Sequence, residues 1–205
     1  MKSPPKKSPT GAAEFLGGAG RAQDVASIRL PNIRRVAFAG RSNVGKSSLL
    51  NALAGAKVAR VSREPGKTRE LNFFRWKKWI LVDLPGYGFA KVSHGARSQW
   101  GREITAWLKS DGNLGLVVSL VDGRHGFQPL DLELLAFLRG EGIPCLVAFT
   151  KMDKWKSANQ RREAERKLSS ECAARAVTDF VFVSSTAKGG VAPLASALHK
   201  LKRPE

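Results

Sequence analysis

A three-layer α/β fold is what this 205-residue sequence predicts: a six-stranded mainly parallel sheet with one antiparallel edge strand, and helices on both faces. Three observations predict it. From Ile33 onward, short apolar runs alternate with stretches of helical periodicity. The apolar runs are continuous, the pattern of strands covered on both sides. Polar motifs follow those runs directly, at the strand carboxyl ends where such sheets bind ligands.

The elements follow in order. Residues 1–22 are rich in Pro, Gly, Lys and Ala, and are expected to form a mobile basic tail before a single domain over 23–205. Arg35–Ala39 reads as a buried strand and Lys46–Ala54 as a helix, with Leu49, Leu50 and Leu53 at helical spacing. Leu71–Arg75 and Trp79–Val82 read as strands joined by three residues. That link is too short for a parallel crossover, so the pair should be an antiparallel hairpin at one edge. Helix Arg97–Lys109 carries Trp100 and Trp107 on one face, suited to packing on the sheet. The remaining expected strands are Leu114–Asp122, Ile143–Phe149 and Phe180–Val183, and the remaining helices are Pro129–Arg139, Asn159–Ala176 and Ala192–Leu201.

Composition narrows the function classes. A net charge of +18 and a pI near 10.6 favour a polyanionic partner, nucleic acid ahead of an anionic membrane. No apolar run is long enough to span a bilayer, and no apolar signal core follows Met1–Thr10, so a cytoplasmic protein without membrane insertion is expected. Cys145 and Cys172 sit in apolar or helical contexts and read as small core residues. His94, His125 and His199 lack metal-ligand spacing.

Gly40-Arg41-Ser42-Asn43-Val44-Gly45-Lys46-Ser47 fits the phosphate-loop pattern G-x-x-x-x-G-K-[ST] without mismatch, between a strand and a helix that continues through Ser48. Loop amides and the helix N-terminus favour phosphate; Lys46 can reach the β- and γ-phosphates and Ser47 can ligate Mg²⁺. Asp83-Leu84-Pro85-Gly86 closes an apolar strand as D-x-x-G: Asp83 can hold a Mg²⁺-bound water and the Gly86 amide can approach the γ-phosphate. Alone, this motif is also a common turn. Between the two lies Gly66-Lys67-Thr68-Arg69-Glu70, where Thr68 is either a second hydroxyl ligand for Mg²⁺ or a solvated loop residue. Thr150-Lys151-Met152-Asp153 ends a strand as T-K-x-D. Asp153 can accept hydrogen bonds from guanine N1–H and the 2-amino group, whereas adenine would leave the carboxylate unpaired. Val183-Ser184-Ser185 ends the last strand, where a backbone N–H can meet guanine O6.

Together, G-R-S-N-V-G-K-S-S-L-L-N (Gly40–Asn51), P-G-K-T-R (Pro65–Arg69), D-L-P-G-Y-G-F-A (Asp83–Ala90) and T-K-M-D (Thr150–Asp153) resemble the bacterial EngB-type GTPases, also called the YihA/YsxC family. The likeness runs from about Glu14 to the end of the last helix. It implies a Ras-like P-loop fold and Mg²⁺-dependent GTP hydrolysis in which Lys46, Thr68 and Gly86 serve catalysis. It further implies a role in assembling the large ribosomal subunit or its precursor, with an associated need in cell division and septation. A monomer cycling between GTP and GDP is the expected form. The alternative is a GTP/GDP-sensing cell-division scaffold with negligible hydrolysis and no RNA contact.

Many GTPases place Gln after D-x-x-G to orient water, but here that position is Tyr87. Slow unassisted turnover follows, on the order of 10⁻² s⁻¹ or less. Asn43 resembles the asparagine that helps bind K⁺ in potassium-activated relatives, so K⁺ is a candidate second cation, alongside Lys67 and Arg69 as donors of positive charge. Basic clusters interleaved with Trp, Arg75-Trp76-Lys77-Lys78-Trp79 and Lys154-Trp155-Lys156 with Gln160-Arg161-Arg162, suit RNA if the aromatics are free; otherwise they are packed side chains.

Overall fold

In the computed structural model, residues 13–59, 70–87 and 94–200 are described, with 94–100 as backbone only. A seven-stranded sheet has the order β1-β3-β4-β2-β5-β6-β7. Its strands are β1 (Glu14–Ala19), β2 (Arg35–Gly40), β3 (Leu71–Trp76), β4 (Trp79–Asp83), β5 (Leu114–Asp122), β6 (Cys145–Thr150) and β7 (Phe180–Phe182). The helices are α1 (Lys46–Ala54), α2 (His94–Ser110), α3 (Pro129–Gly140), α4 (Ala158–Ala173) and α5 (Ala192–Lys200). From β4 through β7 every neighbouring pair is parallel, whereas β3 runs antiparallel to β4.

The sheet has one strand more than expected. Glu14–Ala19, within the stretch read as a tail, pairs antiparallel with β3, and residues 1–12 lie outside the described ones. Its sequence, Glu-Phe-Leu-Gly-Gly-Ala, hides the strand because paired glycines depress local β-propensity. Tertiary pairing supplies what propensity lacks. Phe15 sets its ring 5.5 Å from that of Phe74, and Ala19 is buried. Boundaries shift modestly elsewhere. Pro144 precedes β6, which starts at Cys145, because proline has no N–H for the ladder; its carbonyl still accepts from Val117 N–H. The last expected turn of α4 is replaced by a reversal in which Ala176 adopts a left-handed φ of 52°.

Strand periodicity divides the core. On β2, Val36 and Phe38 face one side with Leu49, Leu50 and Leu53 of α1 and Leu194 and Leu198 of α5. Ala37 and Ala39 face the other, with Trp107 of α2 and Leu138 of α3. A third cluster joins Val147 and Phe149 of β6 to Leu168 and Cys172 of α4. Trp107 packs edge-on against Phe73, 5.9 Å between ring centres. The side chain of Trp100 lies outside the described residues. No helix among the described residues is long and apolar enough to cross a membrane.

Candidate nucleotide site

The carboxyl ends of β2, β4, β5 and β6 meet at one edge of the sheet, and the described motifs gather there. Between β2 and α1, Gly45 takes a left-handed φ of 103° and Asn43 one of 63°, curling the chain so that the α1 amides point into the loop. Gly40 is a close-approach position. A Cβ there would lie 2.8 Å from Val44 Cγ1 and 3.0 Å from Leu120 Cβ. Val44 is buried, Asn43 is exposed, and Arg41, Ser42, Ser47 and Ser48 are half-buried along the loop and the first turn of α1.

The segment after β4 is laced to this loop. Leu84 N–H donates to Phe38 O at 3.1 Å, Tyr87 N–H to Gly40 O at 3.2 Å, and Ser42 N–H to Tyr87 O at 3.0 Å. Leu84 and Pro85 are buried, and Gly86 fits where a Cβ would meet Ser42 Oγ at 3.3 Å. The Lys46 ammonium donates to Asp83 Oδ1 in a buried ion pair. Burial pushes the Asp83 carboxyl above the usual range, and Lys46 works against that rise. The lysine expected to reach phosphate and the carboxylate expected to face Mg²⁺ thus form one enclosed ion pair.

Tyr87 does not turn its hydroxyl toward the phosphate loop. The phenol donates to Asp131 Oδ1 at 2.9 Å, while Asp131 Oδ2 accepts from Gln128 N–H at 3.0 Å. Asp131 therefore caps α3 and anchors Tyr87 with the same carboxylate. Burial, followed by the nearby Asp131 charge, raises the Tyr87 phenol well above its ordinary value.

On the other side, the Thr150 hydroxyl lies 2.7 Å from Val44 O, fixing β6 to the phosphate loop. Lys151 sits in a left-handed turn and donates to Asn43 O at 2.6 Å and Asp122 Oδ2 at 2.9 Å. Buried Met152 donates its N–H to Val183 O. Ser184 Oγ donates to Asp153 Oδ1 at 2.6 Å and accepts from the N–H groups of Thr186 and Ala187. Burial would raise the Asp153 carboxyl, but hydrogen bonds from Ser184 and Thr186 outweigh it and hold the group below the usual range. Asp153 is thus an ionised, oriented acceptor. Ser185 follows, half-buried.

Glu70 is exposed at the start of β3, beside Gly18 of β1. Gly66, Lys67, Thr68 and Arg69 lie outside the described residues. Three contributors were not singled out from the sequence. Asp122 closes β5 and holds Lys151; the signal was an acid ending an apolar run, as Asp83 does. Asp131 carried the spacing of a helix cap behind Gln128-Pro129. Asn51 ends the motif Gly40–Asn51 with no role of its own expected there, yet its side chain bonds Val58 N–H, Ala59 N–H and Ala59 O, fixing the chain as it leaves α1.

Residues 35–151 match the family model described as 50S ribosome-binding GTPase. The probable GTP-binding protein EngB of Halothermothrix orenii is 46% identical over 131 residues, covering 63% of this chain and 66% of that protein, just under two thirds of its length. A crystal structure of a probable GTP-binding protein EngB superposes with a TM-score of 0.64 at 28% identity, covering 82% of this chain and 97% of that one. Era, crystallised with MgGDPNP and nucleotides 1506–1542 of 16S ribosomal RNA, gives a TM-score of 0.67 at 26% identity over 84% of this chain and 57% of its own. With the Ras-like sheet, the phosphate loop and the T-K-x-D segment at one edge, these matches place the chain in the EngB family of GTP-binding proteins.

Proposed function

We propose that the chain is a GTP-hydrolysing switch that engages the large ribosomal subunit or its precursor. The observation that carries the nucleotide reading is the Lys151 bridge to Asn43 O and Asp122, which ties the phosphate loop to the segment bearing Asp153. Asp153, ionised and oriented by Ser184, suits guanine N1–H and its 2-amino group, with the Lys151 stem lying over the base. Lys46 would exchange Asp83 for the β- and γ-phosphates, with the loop amides completing the cradle. The Gly86 amide, seated against Ser42, is placed to follow the γ-phosphate. Ser47 and Asp83, one hydroxyl and one carboxylate beside Lys46, fit Mg²⁺, which keeps waters and takes its other ligands from phosphate. Bound there, Mg²⁺ would neutralise charge developing on the phosphates during transfer. Thr68 is the candidate second hydroxyl ligand. The described partner of the Tyr87 phenol is Asp131, so its hydroxyl does not orient water, and turnover in isolation should be slow.

The ribosomal part draws on the family description, the +18 net charge and the RNA-bound relative Era. The cytoplasm is the expected place of action, with division and septation depending on the assembly step. A nucleotide-sensing scaffold with negligible hydrolysis is the second reading, favoured by Tyr87 alone. Single-turnover phosphate release from GTP, with and without large subunits, separates the two. Release stimulated by subunits supports the switch; no release in either condition supports the sensor. Repeating the assay in K⁺ and in Na⁺ tests the Asn43 expectation, which equal rates would remove.

A further inference from the structure

Beyond the base-reading segment, the chain opens into a groove of about 510 Å³ lined by Lys154, Trp155, Lys156, Gln160, Glu163 and Lys167. Gln160, Glu163 and Lys167 recur at helical spacing, so one face of α4 forms a wall and the Lys154–Lys156 segment forms the other. Between Lys154 and Lys167, six cationic side chains stand against two acids. Lys156 and Lys167 are exposed, whereas Trp155 is half-buried.

We infer that this groove is a docking site for an RNA strand, its lysines meeting phosphates and Trp155 offering an apolar shelf for a base. The inference rests on the ribosomal reading for the identity of the polyanion and goes beyond it by naming the surface. Three observations favour RNA at this place. The charge is complementary to a phosphate backbone. Trp155, half-buried against the β6/α4 core between two lysines, leaves only part of its indole to the groove as an apolar surface on which a base can lie. Glu163 inside the groove can accept a hydrogen bond from a base amino group or a 2′-hydroxyl, which a peptide of Asp and Glu side chains does not offer.

The other basic, Trp-bearing patch lacks such a shelf. Trp76 and Trp79 are only 3% and 2% exposed. Lys77 Nζ and Lys78 Nζ lie over those same rings at 4.8 and 5.0 Å. That hairpin can offer charge but no free aromatic face. The α4 groove, in contrast, starts at Lys154, whose ammonium lies 3.4 Å from the Asp153 carboxylate, so RNA bound there would touch the base-reading segment.

The test uses the full chain and a fluorescein-labelled single-stranded RNA of mixed sequence, with anisotropy read across a salt series. Lys156→Gln with Lys167→Gln should weaken binding on the order of tenfold near 0.1 M salt and make the log–log salt slope shallower by about 1.4, or ~0.7 for each lost phosphate contact. Trp155→Leu should weaken binding without changing the slope, which a merely electrostatic or structural loss would not do. GDP affinity and melting temperature serve as folding controls and should hold in the lysine variant. An unchanged slope in that variant overturns the proposal. So does a slope change carried by Lys77→Gln with Lys78→Gln instead, or loss of polyglutamate binding with RNA binding intact. Failure of the ribosomal reading looks different: the wild type would bind RNA through the groove yet fail to sediment with large subunits.

Discussion

Replacing Asp153 by asparagine should convert a guanine site into a xanthine site, and the Ser184 contact makes the direction of the change definite. Ser184 Oγ donates to Asp153 Oδ1. In the variant, that hydroxyl selects the amide orientation whose oxygen takes the Oδ1 place. The amide NH₂ then occupies the position of Oδ2, beside the Lys154 ammonium, and on the proposed reading of guanine it meets the 2-substituent of the base. Guanine presents an amino group there, donor against donor, and loses a charge-assisted hydrogen bond worth about 1.5–3 kcal/mol, with further cost for the mismatched pair. A total near 3 kcal/mol corresponds to roughly 150-fold weaker GDP binding. Xanthine presents a carbonyl, so XDP gains a hydrogen bond and escapes a carboxylate facing its oxygen; a gain of about 2 kcal/mol is roughly 30-fold. Competition against a fluorescent nucleotide measures both affinities. If the variant keeps GDP affinity within twofold of wild type, Asp153 does not read the base and the assignment fails.

Tyr87→Phe should lower the melting temperature by about 4 °C, from losing roughly 1–2 kcal/mol of hydrogen bonding to buried Asp131. The same change should leave single-turnover hydrolysis within about twofold, and a tenfold drop would show that the phenol serves the reaction. Asn51→Ala removes three hydrogen bonds to Val58 and Ala59 and should cost about 2 kcal/mol in urea unfolding; a cost below about 0.5 kcal/mol contradicts the bracing role. Asp122 supplies a pH test. Burial opposes its charge, but hydrogen bonds from Arg124 and Lys151 win and hold its carboxyl far below the ordinary 3.8. Its native form binds protons less readily than the unfolded chain, so its stabilisation is full above that ordinary value and is lost as pH falls below it. The stability gap between wild type and Asp122→Asn should therefore narrow in urea titrations taken from about pH 5 downward, and parallel curves would refute the linkage.

Much of the fold was legible because its strands are buried on both faces. β2, β5 and β6 read as unbroken apolar runs, and the short link between β3 and β4 dictated their antiparallel pairing. β1 was not legible, because a strand with two adjacent glycines owes its form to pairing with β3 and to the Phe15–Phe74 contact, neither of which is local in sequence. The phosphate loop, Asp83–Gly86 and Thr150–Asp153 were visible as motifs, since their chemistry demands fixed residue types at fixed spacing. Their supports were not. Asp122, Asp131 and Asn51 act through partners up to 44 residues away along the chain, and an acid or amide at such a position has many possible uses. The engagement of the Tyr87 hydroxyl by Asp131 likewise required the placement of α3 against the loop after β4.

The measurement that tests the central claim most directly is cosedimentation with purified large-subunit precursors, comparing wild type and Lys46→Ala in GDP and in a non-hydrolysable GTP analogue. The switch account predicts binding by the wild type with the analogue, little with GDP, and loss of the analogue-dependent binding in the variant. Equal binding in both nucleotides and in the variant would contradict it and leave a constitutive RNA-binding protein in its place.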